Sequence, residues 1–207
     1  MNNLILKTIQ SEVQESCKVK QQLLDDNKTI STIYQVAQKC VEVYARGNKT
    51  LVAGNGGSAS DALHMAAELS GRFCMDRPGI PAIALSANIS TVTAIGNDYG
   101  YESIFSRQVQ ANGVVGDLFI GISTSGKSEN ILRAVEACKE KGIISVGLTG
   151  MSGGKMAKAC DYCITVPSQS TARIQECHIL IVHIICGVVE QALFGESYVA
   201  PAVLAAS

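Results

Sequence analysis

The stretch Leu51-Val-Ala-Gly-Asn-Gly-Gly-Ser-Ala-Ser-Asp-Ala-Leu-His-Met-Ala-Ala-Glu68 decides the fold, because it runs from a buried strand through a glycine turn into a helix. The apolar run 51–53 predicts a short strand that ends at Gly54. We expect Ser58 or Ser60 to cap the following helix. The first N–H groups of such a helix face outward, so this turn is predicted to bind an anion.

The same helix carries a pair of metal-ligating side chains. His64 and Glu68 are spaced i, i+4, so both project from one helix face and can approach one metal ion or one substrate. Taken alone, the pair is more simply interpreted as polar residues on a solvated face. The sequence further along the chain decides between the two interpretations.

The glycine turn also fits a dinucleotide-binding fingerprint, G-x-G-x-x-A, over residues 54–59. That fingerprint requires an acidic residue for the ribose after the second strand, about 20 residues on. The next strand-like run, 81–86, is followed by Ala87 and Asn88 instead. A nicotinamide cofactor is therefore not favoured.

Strands and helices alternate over the rest of the chain. Continuous apolar runs at 116–123 and 143–149 predict strands buried on both faces, and a run at 162–166 predicts an edge strand. Helical patterns lie between and after them, at 131–141, 153–160 and 171–194. Residues 88–96 predict a short helix or turn, and Asn97 and Asp98 are interpreted as loop residues before a helix through Gln110. The pattern predicts the α/β class with a parallel sheet.

Two helices are predicted before the sheet, at 3–24 and 30–44. They could pack against the sheet or against another subunit, and their amphipathic pattern favours an oligomer. The predicted organisation is an N-terminal helical segment (1–48), one α/β domain (49–194) and a tail (195–207) that is either a docked strap or disordered.

Composition narrows the classes of function. The 207 residues carry a net charge of −1, which predicts no nucleic-acid partner. We find no apolar run near 18 residues, so no membrane span is expected, and the first residues do not resemble a signal peptide, which predicts a cytoplasmic protein. The eight cysteines are expected to be reduced, and Cys160-Asp-Tyr-Cys163 is interpreted as structural.

A second anion-binding loop is predicted at Ser123-Thr-Ser-Gly-Lys-Ser128, between a buried strand and a helix. Four hydroxyl residues in six positions exceed what one helix cap needs, and they suit a phosphate monoester. Residues 121–128 also satisfy the P-loop pattern G-x-x-x-x-G-K-[ST], but no second acid follows an apolar strand. Nucleoside triphosphate hydrolysis is therefore not favoured.

These motifs together resemble a known family. Gly54-Asn-Gly-Gly-Ser58, Ile122-Ser-Thr-Ser-Gly126 and Ala172-Arg-Ile-Gln-Glu176 look like the sugar isomerase (SIS) domain family, and His64 with Glu68 and His183 resembles its phosphoheptose isomerase branch. The likeness runs from about residue 5 to residue 194. It implies a three-layer sandwich, a homotetramer, and conversion of sedoheptulose 7-phosphate to glycero-manno-heptose 7-phosphate for bacterial surface heptose.

The resemblance also implies a set of site residues. It places zinc on His64, Glu68, Gln175 and His183. It assigns substrate binding to Asn55, Gly56, Gly57, His64, Glu68, Asn97, Asp98, Ser123, Thr124, Ser125, Ser128 and Gln175.

The implied reaction fits the residue types. Moving a carbonyl between C2 and C1 of a sugar needs a base, an acid and a group that stabilises the enediolate. Glu68 and His183 are the candidate catalytic residues, and zinc would act as a Lewis acid. A carboxylate that ligates a metal is a poorer base, so either Glu68 divides the two tasks between its oxygens or a ligand exchanges when substrate arrives.

Helical spacing raises a question about the zinc ligands. Gln175 and His183 are eight residues apart, about 12 Å along one helix, so they can barely share an ion. We therefore expect either a site built from different subunits or an irregular start to the last helix. His178 falls about 140° around the helix from His183 and is assigned to packing. Some family members carry an aspartate where this chain has Ala172, which puts a second acid from that position in doubt.

Two rival functions stay open at this point. Relatives of the branch act as sugar-phosphate sensors or as tetrameric adaptors for the replication initiator. The adaptors lose acid/base residues, and the presence of both Glu68 and His183 in this chain favours the isomerase. Isomerisation of a different phosphorylated sugar would keep the mechanism and change only the pocket.

Overall fold

The computed structural model describes residues 2–195, in which a parallel sheet lies between two layers of helices. The strands are β1 (Thr50–Gly54), β2 (Ala82–Ala84), β3 (Leu118–Ser123), β4 (Ile144–Thr149) and β5 (Tyr162–Thr165). The helices are α1 (Asn2–Asp25), α2 (Asn27–Ala45), α3 (Gly57–Ser70), α4 (Ile89–Tyr99), α5 (Ser106–Asn112), α6 (Glu129–Lys141), α7 (Met156–Ala159) and α8 (Thr171–Phe194).

The strand order is β2-β1-β3-β4-β5, and every neighbouring pair is parallel. All six residues of β3 are buried, as expected for a strand covered on both faces. Gly54 pairs with Ile122, so the chain leaves β1 and β3 side by side at the carboxyl edge of the sheet. This edge brings together the two loops for which the sequence predicts anion binding.

The sheet separates two hydrophobic cores, which confirms the α/β three-layer arrangement. One core packs α2, α3 and α8 on strand residues such as Ile120, and Val36 and Ile181 are fully buried in it. The other packs α5 and α6 on the opposite face around Phe119 and Ile131. Side chains alternate between the two faces along each strand, which is why neighbouring residues of β3 belong to different cores.

The two N-terminal helices differ in their packing. The apolar side of α2 is buried against the sheet layer, with Ile33, Ala37 and Cys40 almost inaccessible. By contrast, α1 buries only Val19 and Leu23 near its end in the core, and its earlier part makes polar contacts with α8, such as the one between Arg173 and Glu12. A row of apolar side chains on α1 stays exposed in the single chain: Leu4, Ile5, Leu6, Ile9 and Val13.

Helix α8 corrects one expectation from the sequence. It is long and apolar enough by length and composition to cross a membrane, so the expected lack of such a run was wrong. The helix is the central helix of the core, however, and Ile174, Cys177 and Ile185 are buried in it. Its hydrophobicity is explained by core packing, and no membrane is indicated.

The main differences from the predicted elements lie between residues 81 and 112. Strand β2 covers three residues, against the six expected at 81–86. Asn97 and Asp98 lie inside α4, because the helix continues to Gly100, whose φ of 84° ends it. The helix expected through Gln110 is divided into a 3₁₀ turn, Tyr101–Ser103, and α5. Apart from Gly195, the predicted tail lies outside the described residues.

Candidate active site

The first loop predicted to bind an anion begins α3 without a side-chain cap. Gly56 occupies the N-cap position with φ 55° and ψ −124°, a conformation that favours glycine. Ser58 is already inside the helix and buried, and no side chain caps the helix, so the expected serine cap was wrong. The helix begins at Gly57, earlier than the serine positions indicate. The first backbone N–H groups of α3 therefore have no side-chain acceptor and can bind a ligand.

The second loop holds its hydroxyl groups close together. The Oγ atoms of Ser123 and Ser128 lie 2.8 Å apart, and the Oγ of Ser125 lies 3.5 Å from that of Ser123. Ser125 also accepts the N–H of Lys127, while Ser128 makes no side-chain cap at the start of α6. The hydroxyls bond mainly to one another, which supports a binding role beyond helix capping.

A pair of amides joins the two loops. Asn55 and Asn130 exchange two side-chain hydrogen bonds of 2.9 Å, and the hydroxyl of Tyr101 donates to Oδ1 of Asn55 at 2.8 Å. These three residues line a cavity of about 270 Å³ together with Glu102, Ser128 and Glu129. Sequence reasoning missed Asn130 and Tyr101, and the only signal was the position of Asn130 just after the hydroxyl-rich loop.

Three metal-ligating side chains converge further along α3. Nε2 of His64 lies 2.8 Å from Oε1 of Glu68 and 3.2 Å from Nε2 of His183. One ligand atom from each of the three residues lies within 4.8 Å of the others. His64 is exposed, while Glu68 and His183 are half-buried, so the cluster opens to the surface. Helices α3 and α8 thus bring together residues 119 positions apart.

The donor set of this cluster fits a divalent transition metal. Two imidazole nitrogens and one carboxylate oxygen make the three-ligand set of catalytic zinc sites, which leave the fourth position to water or substrate. Tetrahedral ligands at about 2.1 Å from zinc stand roughly 3.4 Å from one another, close to the observed separations. Two ring nitrogens that face each other are also the arrangement expected of ligands to a common cation.

Gln175 lies elsewhere in the same chain. Its side-chain amide packs on Gly57, where an added Cβ would lie only 2.5 Å from Nε2. Gly57 precedes His64 by seven residues, about 10 Å along α3. Helix α8 is regular at Gln175, so the alternative of an irregular helix start was wrong. Within one chain, Gln175 lies at Gly57, and His64, Glu68 and His183 form a separate cluster that could hold a metal ion.

Comparison with known proteins identifies the family. The SIS domain model matches residues 15–150. A phosphoheptose isomerase of Aneurinibacillus thermoaerophilus is 61% identical over 191 residues, which cover 92% of this chain and 96% of the relative. The chain belongs to the phosphoheptose isomerase family. A second relative, phosphoheptose isomerase 2 of Campylobacter jejuni, is 58% identical over 92% of this chain and 94% of its own length.

Solved structures of phosphoheptose isomerases have the same fold. The structure from Francisella tularensis matches with a TM-score of 0.86 at 41% identity, covering 90% of this chain and 98% of that one. The structure from Neisseria gonorrhoeae matches with a TM-score of 0.85 at 39% identity, covering 90% and 99%. As a member of this family, the protein is an aldose–ketose isomerase.

The third histidine of the isomerase has a packing role, as the sequence indicates. His178 is fully buried, and its Nε2 lies 3.2 Å from the carbonyl oxygen of Thr149. Burial lowers the pKa of His178 to about 4, so the ring is neutral at neutral pH. His178 is thus a buried histidine bonded to a backbone carbonyl, whereas His183 is half-buried.

The other predicted substrate residues of the isomerase are distributed more widely. Asn97 donates to the carboxylate of Asp98 at 2.8 Å, and both are exposed at the end of α4. Thr124 follows Ser123 but lines a different cavity, of about 450 Å³, with Ser168 and Gln169. Asn55, Gly56, Gly57, Ser123, Ser125 and Ser128 lie at the carboxyl edge of the sheet.

Proposed function

We propose that this isomerase interconverts D-sedoheptulose 7-phosphate and D-glycero-D-manno-heptose 7-phosphate through an enediol(ate), with Glu68 and His183 as its acid/base pair. The observation that carries the proposal is the convergence of Glu68, His64 and His183 from two helices on one point. Incubating the metal-supplemented protein with sedoheptulose 7-phosphate in deuterated water tests it by NMR. Deuterium at C2 of an aldoheptose supports the proposal, and an unchanged substrate contradicts it.

The two side chains divide the proton transfers of the reaction. Glu68 removes a proton from C1 of the ketose and returns one to C2, while His183 protonates O2 and accepts the proton that leaves O1. The electron pair of the C1–H bond forms the C1–C2 double bond of the enediol and then the new C2–H bond. No proton or electron is gained or lost overall, as an isomerisation requires.

His64, Glu68 and His183 would hold a zinc ion that supports this chemistry. Because an imidazole that ligates through Nε2 cannot release a proton from that atom, His183 would leave the ion when it acts as the acid. When bound, zinc polarises the carbonyl and hydroxyl oxygens of the sugar and stabilises negative charge on them. His64 has no proton transfer assigned to it, so its role is to hold the ion. Glu68 has two oxygens, of which Oε1 faces His64, and the second is available to the substrate.

The two loops at the sheet edge are proposed to hold the phosphate. Backbone N–H groups at the start of α3 and hydroxyls before α6 suit a dianion. About 10 Å of α3 separates Gly57 from His64. A seven-carbon chain is long enough to place its phosphate in the loops and its first two carbons at the cluster.

Removing one hydroxyl from this loop is expected to weaken substrate binding. Ser125→Ala should raise the KM about 10- to 100-fold and change kcat little, because a hydrogen bond to a charged group contributes about 1.5–3 kcal/mol. Ser145→Ala is the control, since that serine bonds Asp161 at the other end of the sheet. Steady-state kinetics, with inorganic phosphate as a competing ligand, checks the prediction. Equal KM values for both variants would contradict it.

We also propose a homotetramer in which Gln175 completes the metal site of a neighbouring subunit. The exposed apolar row of α1 offers a surface for such contacts, and Gln175 is too far along α8 from His183 to share an ion within one chain. Glu68 and His183 lie together in one chain. Mixing chains that lack Glu68 with chains that lack His183 should therefore not restore activity.

Mixed oligomers test this arrangement. Inactive Glu68→Gln chains mixed with inactive Gln175→Ala chains should regain partial activity, because sites with an intact Glu68 can then receive an intact Gln175. Mixtures of Glu68→Gln with His183→Gln chains are the control and should stay inactive. Failure of the first mixture to recover, with exchange of subunits verified by mass spectrometry, would refute the shared site.

The wider context follows from the same proposal. We place the enzyme in the cytoplasm, in keeping with its free cysteines, and in the first step of bacterial surface heptose biosynthesis. The alternative of a non-catalytic sensor or adaptor is not favoured, because the relatives with the high identities are phosphoheptose isomerases and the acid/base pair is present.

A further inference from the structure

A buried ion pair, Arg77 and Glu190, lies behind the acid/base cluster and has no role in the proton transfers described above. Nε of Arg77 donates to Oε1 of Glu190 at 2.9 Å, and the two side chains are only 2% and 1% exposed. Burying two charges is costly unless their hydrogen bonds are satisfied. The partners of this pair therefore show what it holds in place.

Glu190 holds the segment that follows α3. Its carboxylate accepts three consecutive backbone N–H groups, from Phe73 at 3.0 Å, Cys74 at 2.7 Å and Met75 at 2.9 Å. The ring of Phe73 in turn stacks on that of His183, with 5.6 Å between the centroids and 29° between the planes. The carboxylate thus fixes the backbone of the residue that supports the imidazole.

Arg77 holds the end of α3 itself. Its guanidinium donates to the carbonyl oxygens of Glu68 at 2.8 Å, Leu69 at 2.7 Å and Gly71 at 3.1 Å. The last carbonyls of a helix have no partner within the helix, so Arg77 acts as a buried cap for the turn that carries Glu68. A planar guanidinium suits this task because its donors are fixed in direction.

The pair therefore connects the two catalytic groups through the protein. Glu190 follows His183 by seven residues, two turns along α8, so both lie on one side of that helix. One arm of the connection ends on the backbone of Glu68, and the other reaches the ring of His183 through Phe73.

We propose that Arg77 and Glu190 are positioning residues, which fix the distance and orientation between Glu68 and His183 and act on the imidazole through Phe73. The inference rests on the proposed function for the roles of Glu68 and His183. If Glu190 only stabilised the fold, replacing it would affect kcat no more than replacing another buried carboxylate with similar hydrogen bonds. A small displacement of a reacting group is enough to lower the rate of catalysis strongly.

Glu190→Gln is the test, and Asp117→Asn is its matched control. Asp117 is also fully buried and accepts two backbone N–H groups and a lysine ammonium, at the amino-terminal end of β3, away from the site. Both changes replace a bonded carboxylate with an amide of the same shape. Glu190→Gln should lower kcat about 10- to 100-fold with KM changed less than about threefold, while Asp117→Asn should leave kcat unchanged in the folded protein.

Phe73→Leu separates the two arms of the connection. In the double variant, the loss of kcat should be smaller than the product of the losses caused by Phe73→Leu and by Glu190→Gln. Both substitutions act partly through the contact between Phe73 and the ring of His183. If Glu190→Gln does not fold, Arg77→Lys replaces it, since lysine keeps the charge but loses the fork that bonds Glu68. A kcat for Glu190→Gln equal to that of Asp117→Asn would overturn the proposal.

A spectroscopic readout keeps this test independent of the proposed function. With only three histidines in the chain, the ring resonances of His183 can be assigned in histidine-labelled protein under constant metal conditions. Glu190→Gln and Phe73→Leu should both shift the His183 resonances, and Asp117→Asn should not. An unshifted His183 in both variants refutes the positioning role, whereas lack of turnover by the wild-type protein refutes only the proposed substrate.

Discussion

Glu68→Gln is expected to lower kcat by about 10²–10⁴-fold, the contribution of a positioned general base, while binding of the phosphate end is preserved. Glutamine keeps the size and one acceptor oxygen of Glu68 but cannot take a proton. The side chain lies 2.8 Å from His64, so the change also removes a carboxylate from the proposed metal site. Deuterium exchange at C2 should be lost together with turnover.

The control for this variant is Glu136→Gln, which changes an exposed glutamate on α6 in the same way. Metal content is measured for both proteins, which separates loss of the base from loss of the ion. Competition by inorganic phosphate reports whether the loops still bind the anion. Turnover of Glu68→Gln within a few-fold of the Glu136→Gln control would rule out Glu68 as the base.

Two histidines of α8 should respond in opposite ways to the same substitution. His183→Gln is expected to lower kcat by about 10²–10⁴-fold with little loss of stability, because the ring is half-buried and faces His64. His178→Gln is expected to keep the kcat of the folded protein and to lower its thermal stability. That ring is fully buried against Thr149, where a substitution disturbs close packing.

Steady-state kinetics and thermal unfolding of both variants check this pair of predictions. The comparison is closely matched, since the residues are five positions apart on one helix and the change is identical. If His178→Gln lost as much kcat as His183→Gln, the division between a packing and a catalytic histidine would be wrong. If His183→Gln kept normal turnover, the proposed acid would have to be sought elsewhere.

Much of the fold could be predicted from local patterns. The runs 116–123 and 143–149 are mostly apolar, which is typical of strands buried on both faces, and β3 and β4 lie within them. The predicted helix boundaries were wrong where a residue type suits two local structures. Ser58 and Ser60 looked like helix caps, but the positive φ of Gly56 begins α3 earlier. Asn97 looked like a loop residue, yet the helix continues to Gly100.

The site could be predicted only in part. His64 and Glu68 are one helical turn apart, so their proximity follows from α3 alone. The relation of the two anion-binding loops does not follow from either loop, because it depends on the register of β1 against β3 and on the contact between Asn55 and Asn130. Tyr101 has no motif around it, and its bond to Asn55 depends on how the 3₁₀ turn packs.

The sequence by itself determined the alternation of strands and helices, the two hydroxyl- and glycine-rich loops, and the pairing of His64 with Glu68, because each depends on residues close together in the chain. Only the tertiary structure decided that His183, which the resemblance assigns to the site, lies within hydrogen-bond distance of His64, and that Gln175 faces Gly57. The rotation of α8 against α3 selects which side of that largely apolar helix meets the site, and packing of the whole core sets that rotation.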